Sequence, residues 1–164
     1  MNSVHLHLLL NHVPVIGAVI GVGLLAVALL RRSSDLGKTA MVLFAILAAT
    51  SVVVFVSGEP AEELVEKLPG FSEALTERHE EMAQVAMIAM IVVGVFSVIG
   101  LIVFWKRALA RWVMPVALVL SMVATGIMGY AANLGGMILH TEIRSSLAGV
   151  PATGDLDEDE ARRR

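Results

Sequence analysis

The sequence predicts an all-α integral membrane protein: a four-helix up-down-up-down bundle with a short helical periplasmic loop. Three observations predict it. Hydrophobic residues make up 57% of the 164 residues, with a mean hydropathy of +0.80, where soluble domains sit near about 45–50% apolar. Four apolar runs are long enough to cross a hydrocarbon layer of about 30 Å, which takes about 20 helical residues. The connections between them alternate in charge, from basic to acidic to basic. The expected spans are about residues 8–30, 39–58, 80–105 and 112–139, within a transmembrane domain covering 1–148. Residues 149–164 are expected to be a disordered charged tail.

The first segment opens on Met-Asn-Ser-Val-His. It lacks the basic stretch of a cleaved leader and is expected to stay as a permanent helix. Pro14 leaves two alternatives, because proline removes a donor and clashes with the carbonyl four residues back. Either the helix starts near His12–Val13, with His5 and His7 on a flexible lead, or it kinks between Leu10 and Pro14. The first connection carries Arg31, Arg32 and Lys38, and the third carries Lys106, Arg107 and Arg111. Short basic connections remain cytoplasmic, so the chain is expected in a bacterial inner membrane with both termini periplasmic. Trp105 and Trp112 flank the third connection as interfacial anchors.

The second connection is acidic. Pro60 suits a first helical position, residues 61–68 can form two turns, and Pro69-Gly70 would end them. Ser72 then caps a helix running through Glu73 and His79 into the third span.

Residues spaced alternately by three and four share a helix face. Gly126, Gly129, Asn133, Gly136 and His140 follow that spacing in the fourth segment. His79, Ala83, Ala86, Met90, Val93 and Ser97 follow it in the third. His7, Asn11, Pro14, Ala18, Gly21 and Ala28 follow it in the first. Small residues let membrane helices approach closely, so each stripe is expected to be a packing seam headed by a histidine. On that basis Gly129→Leu and Gly136→Leu should disrupt packing. Gly17-x-x-x-Gly21 fits either a homo-oligomer contact or packing inside the bundle. The methionines Met82, Met87, Met90, Met122, Met128 and Met137 are expected to fill the core.

In that topology all five histidines, His5, His7, His12, His79 and His140, gather at one end with the acidic connection. Without cysteine, thiolate zinc sites, iron–sulfur clusters and c-type haem attachment are excluded. Imidazole with carboxylate favours Fe, Cu, Mn or Zn. The expected metal ligands are His12, His79, His140, Glu63 and Glu80. His5, His7, Glu59, Glu62, Glu142, Asn11 and Asn133 are secondary candidates. The soluble di-iron Glu-x-x-His signature is missing, since residue 76 is Thr. The alternative is a b-type haem with bis-histidine ligation, which would use Gly126, Gly129 and Gly136 to make room for the porphyrin. A further alternative is a non-catalytic structural or assembly subunit. No catalytic residue is legible. The expected partners are the lipid bilayer, a periplasmic redox or metal-delivery protein and a second copy of the chain, with no nucleic acid.

Four stretches carry a resemblance. They are Leu10-Asn11-His12-Val13-Pro14 with Gly17, Ser57-Gly58-Glu59-Pro60-Ala61-Glu62-Glu63, Glu77-Arg78-His79-Glu80-Glu81-Met82-Ala83, and Gly135-Gly136-Met137-Ile138-Leu139-His140-Thr141-Glu142-Ile143. Over about residues 5–145 the chain resembles a group of small bacterial four-helix membrane proteins of unknown function with an Asn-His-x-Pro-type N-terminal motif. The resemblance implies the bundle and supports His12, Glu63, His79, Glu80 and His140 as positions to test. It implies no activity.

Overall fold

A computed structural model of the chain describes residues 3–58, 60 and 72–138. The elements are α1 (Ser3–Leu10), α2 (His12–Leu30), α3 (Ser34–Val56), α4 (Glu73–Val103) and α5 (Val113–Met137). Four stretches are long and apolar enough to cross a membrane: His5–Leu30, which joins α1 and α2, and α3, α4 and α5. The second connection's helical turns at 61–68 and the charged tail at 149–164 lie outside the described residues.

Local chemistry explains the ends. Ser33 has extended backbone and its Oγ accepts the Leu36 N–H at 3.3 Å, so α3 starts five residues before the apolar run that announced it. Asp35 in that first turn complements the helix dipole. Ser72 stands at the start of α4, as its position predicts, but its side chain makes no cap. Its carbonyl instead takes both the N–H and the Oγ1–H of Thr76, each at 3.1 Å. At 31 residues, α4 is about 46 Å long. That exceeds the hydrocarbon layer, so its first turns, with Glu73, Glu77, Arg78, Glu80 and Glu81, project beyond it.

Helix packing uses small residues on one side and larger ones opposite. Phe44 fills the space over Gly21, Leu47 lies on Gly17, Ala48 on Gly94 and Met41 on Gly100. Gly17 and Gly21 therefore pack within the bundle. The buried core combines Leu25, Met90, Val93 and Met128 with Ala18, Ala40, Ala86, Ala117, Ala124 and Ala131. Large apolar side chains such as Ile16, Ile20, Ile46, Ile88, Ile99 and Val119 point outward. Helices apolar on every side are those that meet lipid. Thr39, Thr50, Ser51 and Thr125 return their hydroxyl protons to carbonyls of their own helix at 2.7–3.0 Å, as a medium without water requires.

The expected seams of the first and third segments are buried: Pro14, Ala18, Gly21 and Ala28 in α2, and Ala86, Met90, Val93 and Ser97 in α4. The seam of the fourth is corrected. Gly126, Gly129, Asn133 and Gly136 face outward, and a Cβ built on any of the three glycines meets nothing within 4 Å. The packed face of α5 is Ala117, Ser121, Ala124, Met128, Ala131 and Leu134. Met122 likewise points outward rather than into the core.

Candidate functional site

Pro14 shapes the N-terminal part of the site. It stands two residues into α2, and α1 ends at Leu10, whose carbonyl an unbroken helix would drive into the proline ring. The two elements meet at Asn11, which keeps helical dihedrals (φ −56°, ψ −32°) and whose N–H still reaches the His7 carbonyl at 2.8 Å, so the helix is kinked there rather than ended. Each alternative left by the sequence holds in part: α2 starts at His12 with Pro14 in its first turn, and the kink falls between Leu10 and Pro14, so that His5 and His7 ride on a helix rather than a free lead.

That break lays α1 against the end of α3. His7 donates through Nδ1 to the Val54 carbonyl at 3.0 Å, and Ser57 Oγ donates to the same oxygen at 3.0 Å. Val54 needs these donors. Its regular helical partner would be the N–H of Gly58, which bonds to Phe55 instead, leaving one of the orphan carbonyls of a helix C-terminus. A histidine from another helix caps it.

His79 repeats the arrangement. Its Nδ1 donates to the Ala131 carbonyl of α5 at 2.8 Å. Its ring lies flat enough against α5 that a Cβ at residue 135 would sit 2.9 Å from Cε1. Any side chain there would have to displace the imidazole. Because a carbonyl can only accept, both His7 and His79 carry their proton on Nδ1 and leave Nε2 as the nitrogen with a free lone pair when neutral.

The remaining expected residues divide. His12 is exposed, and its Nδ1 is bonded to the side-chain Oδ1 of its neighbour Asn11. His5, Glu80 and Asn133 are exposed. Asn133 lies between Ala131 and Gly135, the turn that meets His79. It is therefore level with the charged residues Arg78 and Glu80. His140, Glu59, Glu62, Glu63 and Glu142 lie outside the described residues. Among the described residues no group of three or more His, Asp or Glu side chains is placed to hold a metal ion. The glycines expected to admit a porphyrin, Gly126, Gly129 and Gly136, are on the outward face of α5, and the packed interior between helices gains no room from them.

His7 was a secondary candidate by sequence, and Gly135 stood there without a role. The Gly135-Gly136 pair was visible, but only the helical phase set by Ala131 and Leu134 shows which of the two turns inward. No protein-family model, curated protein or solved structure matches the chain.

Proposed function

We propose that this chain is an inner-membrane four-helix bundle that binds a transition metal through imidazole nitrogens at one end, for redox or metal handling. The observation that carries the reading is the hydrogen bond that His7 and His79 each make through Nδ1 to a backbone carbonyl, Val54 and Ala131 respectively. Metal-binding histidines donate their second ring N–H to a carbonyl or carboxylate, which fixes the tautomer and aims the other nitrogen. Both imidazoles here are held that way before any metal arrives. His7 and His79 supply Nε2 in this reading, and His12, His140, Glu63 and Glu80 complete the shell. A mixed imidazole and carboxylate set suits Fe, Cu, Mn or Zn.

Up-down-up-down order is supported by the helix contacts. Gly17 meets Leu47 and Gly21 meets Phe44, so α2 ascends as α3 descends. Gly94 meets Ala48 and Gly100 meets Met41 in the same sense for α3 and α4. The basic connections support a cytoplasmic position for the ends opposite the histidines, with both termini periplasmic. A reporter fused after residue 148 should then be active in the periplasm, and cytoplasmic activity would invert the assignment.

The test of the metal reading is elemental analysis with a visible spectrum on detergent-purified protein, beside a His7→Ala/His79→Ala variant. Stoichiometric metal in the wild type, lost in the variant, is the expected result. A Soret band would replace it with haem. Metal-free, colourless protein after reconstitution would leave a scaffold subunit, in which the same two hydrogen bonds serve to staple α1 to α3 and α4 to α5.

A further inference from the structure

The turn between α2 and α3 holds a backbone conformation that its residue does not favour. Arg32 has φ of 51°, the one positive value at a non-glycine residue among the described residues. The helix ending demands it: Arg32 N–H turns back to the Leu29 carbonyl at 3.2 Å, and Ser33 N–H to the Ala28 carbonyl at 2.9 Å. Glycine ordinarily fills this left-handed position, because any side chain there is strained. Folding alone would choose glycine. Strain retained where a simpler residue is available points to a use for the side chain.

The surroundings indicate the use. Lys38 Nζ donates to the Trp105 carbonyl at 3.3 Å and the Arg107 carbonyl at 2.8 Å, and Leu109 N–H donates to Ser34 Oγ at 2.8 Å. These bonds stitch the two basic connections together at one end of the bundle. Arg31, Arg32, Lys106, Arg107 and Arg111 are all exposed there, and none of their side chains forms an ion pair or hydrogen bond among the described residues. Asp35 is the one carboxylate in either connection. Trp105 and Trp112, 73% and 56% exposed, border the cluster, and the Trp112 ring is braced edge-on by Phe96 at 6.2 Å.

We propose that this end of the bundle binds the phosphate headgroups of anionic phospholipid, and that Arg32 holds its strained position for that contact. Uncompensated guanidinium groups beside membrane-length helices lie in the headgroup layer, where they meet phosphate bidentately. The indoles mark the same depth. Basic clusters at this depth attract anionic lipid. The inference is independent of the histidine chemistry at the other end.

The chain's two tryptophans both border the cluster, so lipids brominated on their acyl chains report on it directly. The full chain is reconstituted in phosphatidylcholine vesicles carrying an equal minor fraction of brominated phosphatidylglycerol or brominated phosphatidylcholine. The phosphatidylglycerol should quench as if enriched about fivefold near the tryptophans at low salt. High salt should abolish that excess. An Arg31→Gln/Arg32→Gly variant should melt at or above the wild-type temperature, since the strain is removed, yet lose most of the enrichment. Arg107→Gln/Arg111→Gln, away from the strained turn, should weaken it as well. Equal quenching by the two lipids, or enrichment that persists in both variants, overturns the proposal.

Discussion

Gly94 and Gly129 are the same residue in neighbouring membrane helices, and they do opposite things. A Cβ on Gly94 would lie 2.4 Å from the Ala48 Cβ, so α3 and α4 touch through glycine and alanine with no side chain able to swing aside. A Cβ on Gly129 would meet nothing within 4 Å, because that side of α5 faces outward. The difference shows that smallness by itself does not mark an interface. In water an apolar stripe declares the buried side of a helix. In lipid both sides are apolar, and only the partner across the contact separates them.

The largest test of this comparison is Gly94→Val. A branched side chain has to push two backbones apart, and overfilling a packed contact of this kind costs about 3 kcal/mol. Thermal unfolding in detergent should fall sharply. Gly100→Ala should be milder, because the nearest atom is the flexible Cε end of Met41, also at 2.4 Å. Equal losses for the two would show that rigidity of the neighbour is irrelevant and undo the argument.

Gly135→Ala probes the histidine end with a smaller expected effect. The new methyl group would sit 2.9 Å from His79 Cε1, so the ring has to leave the α5 surface and its bond to Ala131. Loss of one such hydrogen bond costs about 1 kcal/mol, which corresponds to about 3 °C for a chain of this size. Gly136→Ala, one position along and facing open space, carries the same gain in helix propensity without the clash, so Gly135→Ala should melt about 3 °C below it. If both variants behave alike, the ring does not depend on residue 135.

Much of the architecture was legible because hydropathy reads span length directly, and the four spans are found where their apolar runs lie. The break at Asn11 was half legible: Pro14 forces a choice, and burial of Pro14 in α2 with α1 folded on α3 makes it. The seams of α2 and α4 were legible because bulky outward residues such as Ile16, Ile20, Ile88 and Ile99 leave one small-residue face each. On α5 two faces carry small residues at helical spacings of three or seven, Gly126–Gly129–Gly136 and Ala117–Ala124–Ala131, so periodicity had no basis for choosing between them. The histidine contacts were legible only as a shared end. That His7 caps Val54 follows from a carbonyl left open by the irregular end of α3, which no spacing rule announces.

Gly129→Leu carries the smallest expected effect and separates the two criteria most cleanly. Judged by residue size and spacing, it should damage the bundle. Judged by the absence of a neighbour, it adds an outward side chain to a helix already bordered by Met122, Val123 and Tyr130. Leucine also replaces the poorest helix former after proline, a gain of about 0.7 kcal/mol in an exposed helix interior. The unfolding temperature should therefore stay level or rise by a degree or two. A clear fall, while Gly136→Ala shows none, would place a second protein surface against the middle of α5, and the open face would then be an interface between chains rather than a face for lipid.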